Sequence, residues 1–405
     1  MKTDSFPYAN PSIRKWSPAA RSRPLVLAGM ALAFTLTACA GEPPPAAFPG
    51  MSVSGQYAYL ANNFHLTKWD LNTGAEVWKF PATQDNNPPI GPFSGTPLKF
   101  GDWIIIGGSA GLNGGYDPHV YAVSDATGAE VWRFTGTREF VDGVVTDGKL
   151  IYAPSGDGAL YALDPSNREA NGEPRIVWKF QTGNRLWSRP LLADGRLYQA
   201  SFDHSLYAID AASGRQIWRF DEPAAPIAMQ PAMRDGVLYF ASFDGFAYAI
   251  NASDGSLKWK SAVDAWVWTD PTIGRDLLYM GDVRGKVYAF DLQTGARVWY
   301  FEALDSIKAQ PVLANDLLYI VSMDTFVYAL DPSGVARDGS GRIDRNSIKW
   351  RNETLGRRLM TTPVIYGGDL LVPPLDGEVR IWTLNAKTGE RGSRMPAAQA
   401  TATTP

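Results

Sequence analysis

A Trp-containing segment recurs along the chain and constrains its fold more than any other feature. Its first copy, residues 70–80, reads "DLNTGAEVWKF": an Asp, a turn-forming Thr-Gly pair and a Trp. An eighth copy near the carboxyl end, "TLNAKTGERGS", has Ser393 in place of the Trp. The spacing between successive Trp residues is 40 to 54, which is typical of a repeat architecture. The seven repeated residues are Trp78, Trp132, Trp178, Trp218, Trp259, Trp299 and Trp350.

Each period contains four short strand signals. Within residues 189–220, the runs "PLLA", "RLYQAS", "LYAID" and "RQIWRF" are four to six residues long, have alternating aromatic and aliphatic positions and are joined by tight turns. Four antiparallel strands in about forty residues describe one blade of a β-propeller. The first three strands can be counted eight times and the fourth convincingly seven times. The sequence therefore predicts an all-β, eight-bladed β-propeller of four-stranded antiparallel blades, with seven blades as the alternative and a degenerate or borrowed last outer strand.

The repeated pattern "Y-A-x-D-x-x-[ST]-G-x-x-x-W" resembles the pyrroloquinoline-quinone-like (PQQ-like) repeat over residues 51–392. This family includes the quinoprotein alcohol dehydrogenases and the BamB-like envelope lipoproteins. In it, the Trp of the outer strand packs between neighbouring blades, and the Gly lies against a neighbouring indole. The resemblance implies that the seven repeated Trp residues are structural, since a planar side chain fills the wedge between blades. The Asp and Glu of the repeat are then architectural as well.

The first residues predict an exported lipoprotein. Basic residues precede an uncharged apolar run at 25–37, which suits the core of a signal peptide. The run leads into "LTAC", which resembles the bacterial lipoprotein signal and implies lipidation of Cys39, the single cysteine. We expect a lipid anchor in the cell envelope, on the periplasmic or outer cell-surface side. The predicted order is signal peptide, Pro-rich tether, propeller and disordered tail: residues 1–38, 39–50, 51–395 and 396–405.

Charge and motifs limit the function classes. Residues 1–38 carry +4, which leaves −7 for the rest of a chain whose net charge is −3, so no nucleic-acid partner is expected. A single cysteine excludes the vicinal Cys pair of the quinoprotein alcohol dehydrogenases. No haem, zinc-hydrolase or nucleophile-elbow motif occurs. Residues 338–344, "DGSGRID", lack the spacing of a calcium loop and are interpreted as a polar hairpin extension.

The connections from the fourth strand of one blade to the first strand of the next predict the functional face, because they meet at one mouth of the axial channel. One position per blade, before the repeated Pro, forms a polar channel-mouth ring: Thr96, Asp142, Arg189, Gln230, Asp270, Gln310 and Thr362. Aromatic and basic residues close to this ring form a candidate binding face: Phe140, Arg185, Trp187, Arg189, Trp268 and Lys308. Such residues are enriched in protein interfaces. The alternative is that the ring holds channel waters and the aromatics pack against their own loops.

We therefore expect a non-catalytic, lipid-anchored envelope propeller that binds an envelope protein or peptide. It would have no catalytic residues, no metal site and no cofactor. Its resemblance to BamB-like proteins adds a role in outer-membrane protein assembly, which the residues alone do not carry. The main alternative is a PQQ-dependent oxidoreductase or its propeller subunit, with PQQ and calcium as cofactors. A carbohydrate-binding propeller is a weaker alternative that rests on the channel-mouth aromatics.

Overall fold

Eight four-stranded antiparallel sheets make up the fold, and each sheet has the strand order first, second, third, fourth. Blades 1 to 4 comprise β1 Gly50–Ser54, β2 Tyr57–Asn62, β3 His65–Asp70, β4 Glu76–Phe80; β5 Phe93–Phe100, β6 Trp103–Gly108, β7 His119–Ser124, β8 Glu130–Thr135; β9 Val145–Thr146, β10 Ile151–Pro154, β11 Ala159–Arg168, β12 Pro174–Gln181; and β13 Leu191–Ala193, β14 Arg196–Ala200, β15 Leu206–Asp210, β16 Gln216–Phe220.

The second half repeats this order. Blades 5 to 8 comprise β17 Ala232–Arg234, β18 Val237–Ser242, β19 Phe246–Asn251, β20 Leu257–Ala262; β21 Thr272–Ile273, β22 Leu277–Gly281, β23 Lys286–Asp291, β24 Arg297–Glu302; β25 Val312–Ala314, β26 Leu317–Val321, β27 Val327–Leu330, β28 Ile348–Asn352; and β29 Val364–Tyr366, β30 Asp369–Val372, β31 Ile381–Asn385, β32 Arg391–Met395. A short 3-10 helix, Arg345–Ser347, precedes β28. The eight-bladed prediction is confirmed, and the outer strand of the last blade is β32 from the same continuous segment.

The computed structural model describes residues 49–62, 65–83, 92–108, 118–333, 341–343, 345–375 and 381–395. All of them belong to one compact unit, Pro44–Pro405. The predicted signal peptide, Cys39, the tether up to residue 48 and the predicted tail at 396–405 lie outside the described residues. Among the residues that are described, none belongs to a helix with the length and hydrophobicity needed to cross a membrane.

The core lies between neighbouring blades. At the seam of blades 4 and 5, Trp218 of β16 packs in one cluster with Phe240 and Ile250 of the next blade. The Trp218 Nε1–H also donates to the carbonyl oxygen of Ala252, at 3.1 Å. Five other repeated Trp residues donate in the same way to a turn of the following blade, at 2.8 to 3.3 Å. The structure thus places these indoles between blades, as the PQQ-like resemblance implied.

The repeated Gly faces the indole because a side chain would not fit there. A Cβ atom added to Gly255 would lie 3.0 Å from the Trp218 ring, and one added to Gly295 only 2.5 Å from Trp259. Both glycines also have a positive φ, 76° and 72°. Left-handed backbone and close approach to a ring both favour Gly. The turn and the Trp are therefore one structural unit shared by two blades.

Trp132 is the exception among the seven. The blade 3 insert extends β11 and β12 into a long hairpin, so the short Gly turn that receives five of the other indoles is replaced here. No described residue accepts a hydrogen bond from the buried Trp132 Nε1. Instead, Trp103 packs edge-on against Trp132 at 6.3 Å, and the Arg168 guanidinium of the hairpin lies 5.8 Å from the Trp103 ring. Packing replaces the hydrogen bond at this seam.

The ring closes between blades 8 and 1 without an exchanged strand. The sequence of β32 has Ser393 where the other outer strands have Trp. Across this seam Trp69 of β3 is buried in a cluster with Leu371 and Ile381 of blade 8. The corresponding residue of blade 4 is the smaller Ile209, which packs in the cluster that includes Trp178. A large side chain of blade 1 is therefore buried at the seam whose outer strand lacks the repeated Trp.

Candidate functional site

Repeated Asp residues in the turns between second and third strands organise one face of the propeller. In blade 4, the Asp203 carboxylate accepts the Tyr207 hydroxyl at 2.7 Å and the backbone N–H of Gly183 at 2.7 Å. Gly183 belongs to the connection that arrives from blade 3, so the Asp ties two loops together. Burial, and then the Asp203 carboxylate, raise the pKa of Tyr207 to about 12, which keeps its hydroxyl a donor.

The same arrangement recurs in other blades. Asp244 accepts Tyr248 and the N–H of Ala224, and Asp324 accepts Tyr328 and the N–H of Leu304. The sequence prediction missed these residues. Their signal was present as an Asp four residues before the repeated Tyr, in "DHSLY", "DGFAY" and "DTFVY". These contacts hold the loops of the face in a fixed position, which any binding function there requires.

Arg189 connects the channel-mouth ring across the axis. Its Nη1 donates to Thr96 Oγ1 at 3.1 Å, its Nε donates to Gln230 Oε1 at 3.0 Å, and its Nη2 lies 3.5 Å from Asp270 Oδ2. Its backbone N–H donates to Asp142 Oδ2 at 3.1 Å. The guanidinium thus joins residues from three other blades, and the backbone N–H of Arg189 adds a residue from a fourth.

The remaining ring residues also bind one another. The backbone N–H of Gln230 donates to Asp270 Oδ1 at 2.9 Å, and that of Gln310 donates to Thr362 Oγ1 at 3.1 Å. The side-chain amides of both Gln residues donate to the carbonyl oxygen of the preceding blade's repeated Pro, at 3.0 and 3.1 Å. The predicted ring exists as a hydrogen-bonded network rather than as a row of free polar groups.

The ring contains two carboxylates and one guanidinium. Burial, and then the neighbouring Asp142 carboxylate, raise the pKa of Asp270 to about 6, against the opposing charge of Arg189. Burial also raises the pKa of Asp142. Because Arg189 serves both carboxylates, neither has a cation to itself, and the pKa values of both carboxyl groups lie above that of an ordinary Asp.

An aromatic band borders this mouth. We define the aromatic band as Trp187, Phe202, Phe243, Trp266 and Trp268. Successive rings are 4.6 Å apart for Trp187 and Phe202, 6.2 Å for Phe202 and Phe243, and 5.5 Å for Phe243 and Trp268. Trp266 stacks on Phe243 at 5.2 Å and is 54% exposed. The band therefore forms a continuous aromatic surface built from two blade connections, with Trp187, Trp266 and Trp268, and from two turns between second and third strands, with Phe202 and Phe243.

Basic side chains flank the aromatic band. The Arg185 guanidinium lies 5.5 Å from the Trp187 ring, and the Lys308 ammonium lies 5.9 Å from the Trp268 ring. Trp187, Trp268 and Lys308 line a cavity of about 240 Å³ together with ring residues. The structure therefore brings four of the six predicted face residues together: Arg185, Trp187, Trp268 and Lys308. The sequence prediction missed Phe202 and Phe243, although the repeated "SFD" of blades 4 and 5 is a signal for them.

Phe140 is wrong as a binding-face residue. Its side chain is fully buried and packs against Phe134 and Tyr161, at 6.1 and 6.4 Å between ring centroids. It takes the inter-blade position that the buried Leu186 fills one blade later. An aromatic residue at this position contributes to the core and presents no surface to a partner.

A shorter connection explains the error. The carbonyl oxygen of Glu139 accepts a backbone N–H from the turn between β10 and β11. Glu139 lies three residues before the ring residue Asp142. In the following blade the corresponding carbonyl oxygen belongs to Arg185, four residues before Arg189. The prediction counted back from the ring position and so assumed equal lengths. Because one residue is missing, Phe140 falls on the buried position instead of the exposed one.

Arg189 also differs from its predicted role. All three guanidinium nitrogen atoms have partners within the ring, and the side chain is 23% exposed. It belongs to the ring and not to the surface that a partner would contact. Within the described ranges, no group of three or more His, Cys, Asp or Glu side chains is arranged to hold a metal ion.

The fold and the repeat together define the class: an eight-bladed β-propeller of PQQ-like repeats. The family model of the outer membrane protein assembly factor BamB matches residues 117–337, more than half of the chain. The chain therefore belongs to the BamB family.

Individual relatives agree with this family. Over 140 residues the chain is 26% identical to the outer membrane protein assembly factor BamB of Burkholderia pseudomallei (strain K96243), a match that covers 35% of this chain and 33% of that protein. The chain thus matches about a third of this relative's length. BamB from Moraxella catarrhalis superposes with a TM-score of 0.63 at 18% identity, over 81% of this chain and 91% of that one.

A computationally designed protein, Ika8, superposes with a TM-score of 0.66 at 12% identity, over 85% of this chain and 98% of the designed one. At these identities, both structural matches show the fold alone.

Proposed function

We propose that this protein is a non-catalytic, lipid-anchored scaffold of the cell envelope that binds another protein through the aromatic band. The band carries the proposal because Trp266 is 54% exposed and the rings beside it form one aromatic surface next to the mouth. The exposed Trp266 and the partly exposed rings would provide contact area, and aromatic residues of this kind dominate the binding energy of protein interfaces. The flanking Arg185 and Lys308 would bind carboxylates or carbonyl oxygens of the partner.

The role that we propose for this binding is the assembly of outer-membrane proteins. It is supported by membership of the family of the outer membrane protein assembly factor BamB. Lipidation at Cys39, proposed from the "LTAC" signal, would hold the propeller at a membrane surface. A tethered scaffold meets a membrane-embedded partner at a raised effective concentration, so a modest interface suffices.

The quinone-dependent alternative is not proposed, because the channel mouth does not fit it. A quinone on the axis would need polar side chains that are free to hold it. Here Arg189, Gln230 and Gln310 are each hydrogen-bonded to ring partners. We propose no cofactor and no metal for this protein.

The test is complementation in a strain from which the chromosomal copy has been deleted. The Trp266→Ala, Trp268→Ala double variant should restore outer-membrane barrel proteins less well than the wild type, at equal protein abundance. Val77→Ala is the matched control, since Val77 is 45% exposed but lies on the outer strand of blade 1, and it should restore them fully. Full restoration by the double variant would place the binding site elsewhere.

A further inference from the structure

The residue after the repeated Trp separates blade 6 from the other blades. Seven outer strands have Lys or Arg at this position, and the outer strand of blade 6 has Tyr300. The basic residues are Lys79, Arg133, Lys179, Arg219, Lys260, Arg351 and Arg394. Charged residues on an edge strand oppose the addition of a further strand, because they would have to lose water. At this position, the outer strand of blade 6 is the one without a basic residue.

That edge is occupied by another segment of the chain. The Tyr300 N–H donates to the carbonyl oxygen of Gly341 at 2.8 Å, and the Ile343 N–H donates to the carbonyl oxygen of Tyr300 at 2.9 Å. Tyr300 and Arg342 form a parallel bridge. Gly341–Ile343 belongs to the insert of blade 7, so the predicted hairpin extension reaches the preceding blade. Within the described ranges, no other outer strand carries such a bridge.

Side chains add selectivity to these backbone contacts. Ile343 is only 6% exposed and packs in the cluster that contains Trp299 and Phe301. Arg342 Nη2 lies 3.2 Å from Glu302 Oε2. The edge of β24 thus offers the backbone N–H and carbonyl oxygen of Tyr300, an apolar position that takes Ile343, and the Glu302 carboxylate. Sites of this type bind an extended peptide by adding it to the sheet, with specificity from alternate side chains.

We propose that the outer edge of β24 is a docking site for an extended segment of a partner protein, with an aliphatic residue directly after a basic one. Gly341–Ile343 occupies this site as an internal competitor. Two backbone hydrogen bonds, the buried Ile343 side chain and the half-exposed ion pair of Arg342 contribute to holding it, and an external strand that makes more contacts with β24 can displace it. Blade 6 stays complete without it, because β24 keeps its full pairing with β23. This site does not depend on the aromatic band.

The experiment opens the edge by shortening the insert in the full chain. Residues 332–347 are replaced by Ala-Ala-Ser-Gly-Arg, the sequence of residues 211–215 that joins the same two strands in blade 4. The probe is a fluorescent peptide with the sequence of residues 338–345, and binding is followed by fluorescence anisotropy. We expect saturable binding. A control peptide with N-methyl-isoleucine at position 343 lacks the donor to Tyr300 and should bind at least about tenfold more weakly.

Two further proteins complete the test. The unmodified chain should bind the same peptide, at least about tenfold more weakly than the shortened chain, because its own segment competes. Adding Tyr300→Arg to the shortened chain should remove binding, since it installs the basic residue of the other blades. If the shortened chain does not fold, Arg342→Glu with Ile343→Glu releases the segment at full chain length, and the same peptides are used.

Three results would overturn the proposal. The first is no peptide binding by an opened chain whose circular dichroism and thermal unfolding are native. The second is equal binding of the N-methylated peptide. The third is binding by the opened chain but none by the unmodified one, which would make Gly341–Ile343 a permanent cover.

Discussion

The seams between blades and the mouth of the channel differ in how much their residues vary from one blade to the next. At the seams, one Trp and one Gly recur and make the same contact, as Trp218 with Gly255 and Trp259 with Gly295. At the mouth, the residue type changes from blade to blade, and one residue, Arg189, contacts four others. Repetition suits a contact that must be made at every seam. Variation at the mouth, and in the aromatic band beside it, leaves residues that are not needed for closure.

The largest effect is expected at a seam. Trp218→Ala should lower the free energy of unfolding by about 3–5 kcal/mol, the range for removing a large buried aromatic side chain. Asp221→Asn, with a side chain that is 66% exposed, should change it by no more than about 0.5 kcal/mol. Urea unfolding of both variants measures the difference. Equal losses would contradict the structural role of the repeated Trp.

A pair of glycines separates backbone strain from contact with the indole. Gly295 and Gly236 both have a φ of 72°, but only at Gly295 would a Cβ atom meet a neighbour, Trp259 at 2.5 Å. Both changes to Ala should cost about 1–2 kcal/mol for the left-handed backbone. Gly295→Ala should cost about 1–3 kcal/mol more, because it also overpacks the seam. Identical unfolding free energies for the two variants would show that the seam can relax around a side chain.

The contribution of the channel mouth to stability should depend on pH rather than on side-chain volume. The pKa of Asp270 is raised from 3.8 to about 6 in the folded protein. The folded state therefore keeps a proton that the unfolded state releases, and stability should fall as the pH rises through this interval. Asp270→Asn should flatten the profile by about 1–3 kcal/mol between pH 4 and 7. The check is the free energy of unfolding measured across this range, and an unchanged slope in the variant would assign the titration to another group.

The smallest effect on stability is expected in the aromatic band. Trp266 is 54% exposed, so Trp266→Ala should cost about 1 kcal/mol or less in urea unfolding. The same change should weaken capture of the partner in a site-specific cross-linking experiment. If the free energy of unfolding fell by several kcal/mol instead, the aromatic band would be part of the core and would serve stability, as the seams do.

The number of blades and the seams followed from the sequence, because strand alternation, turn chemistry and the Trp are local patterns that repeat. The role of Phe140 did not, because a connection that is one residue shorter shifts a side chain from surface to core. The family resemblance implied the packing of the Trp between blades but said nothing of Trp69, which is buried at the closing seam.

The sequence by itself thus determined the architecture, and the tertiary structure decided which residues meet. Arg189 and Thr96 are 93 residues apart, yet their side chains are hydrogen-bonded across the mouth. Phe202 joins Phe243 in the aromatic band, and Arg342 reaches Tyr300 at the edge of the preceding blade. Local propensity acts over a few neighbouring residues. These contacts exist only once eight blades have closed around one axis, so no short stretch of sequence encodes them.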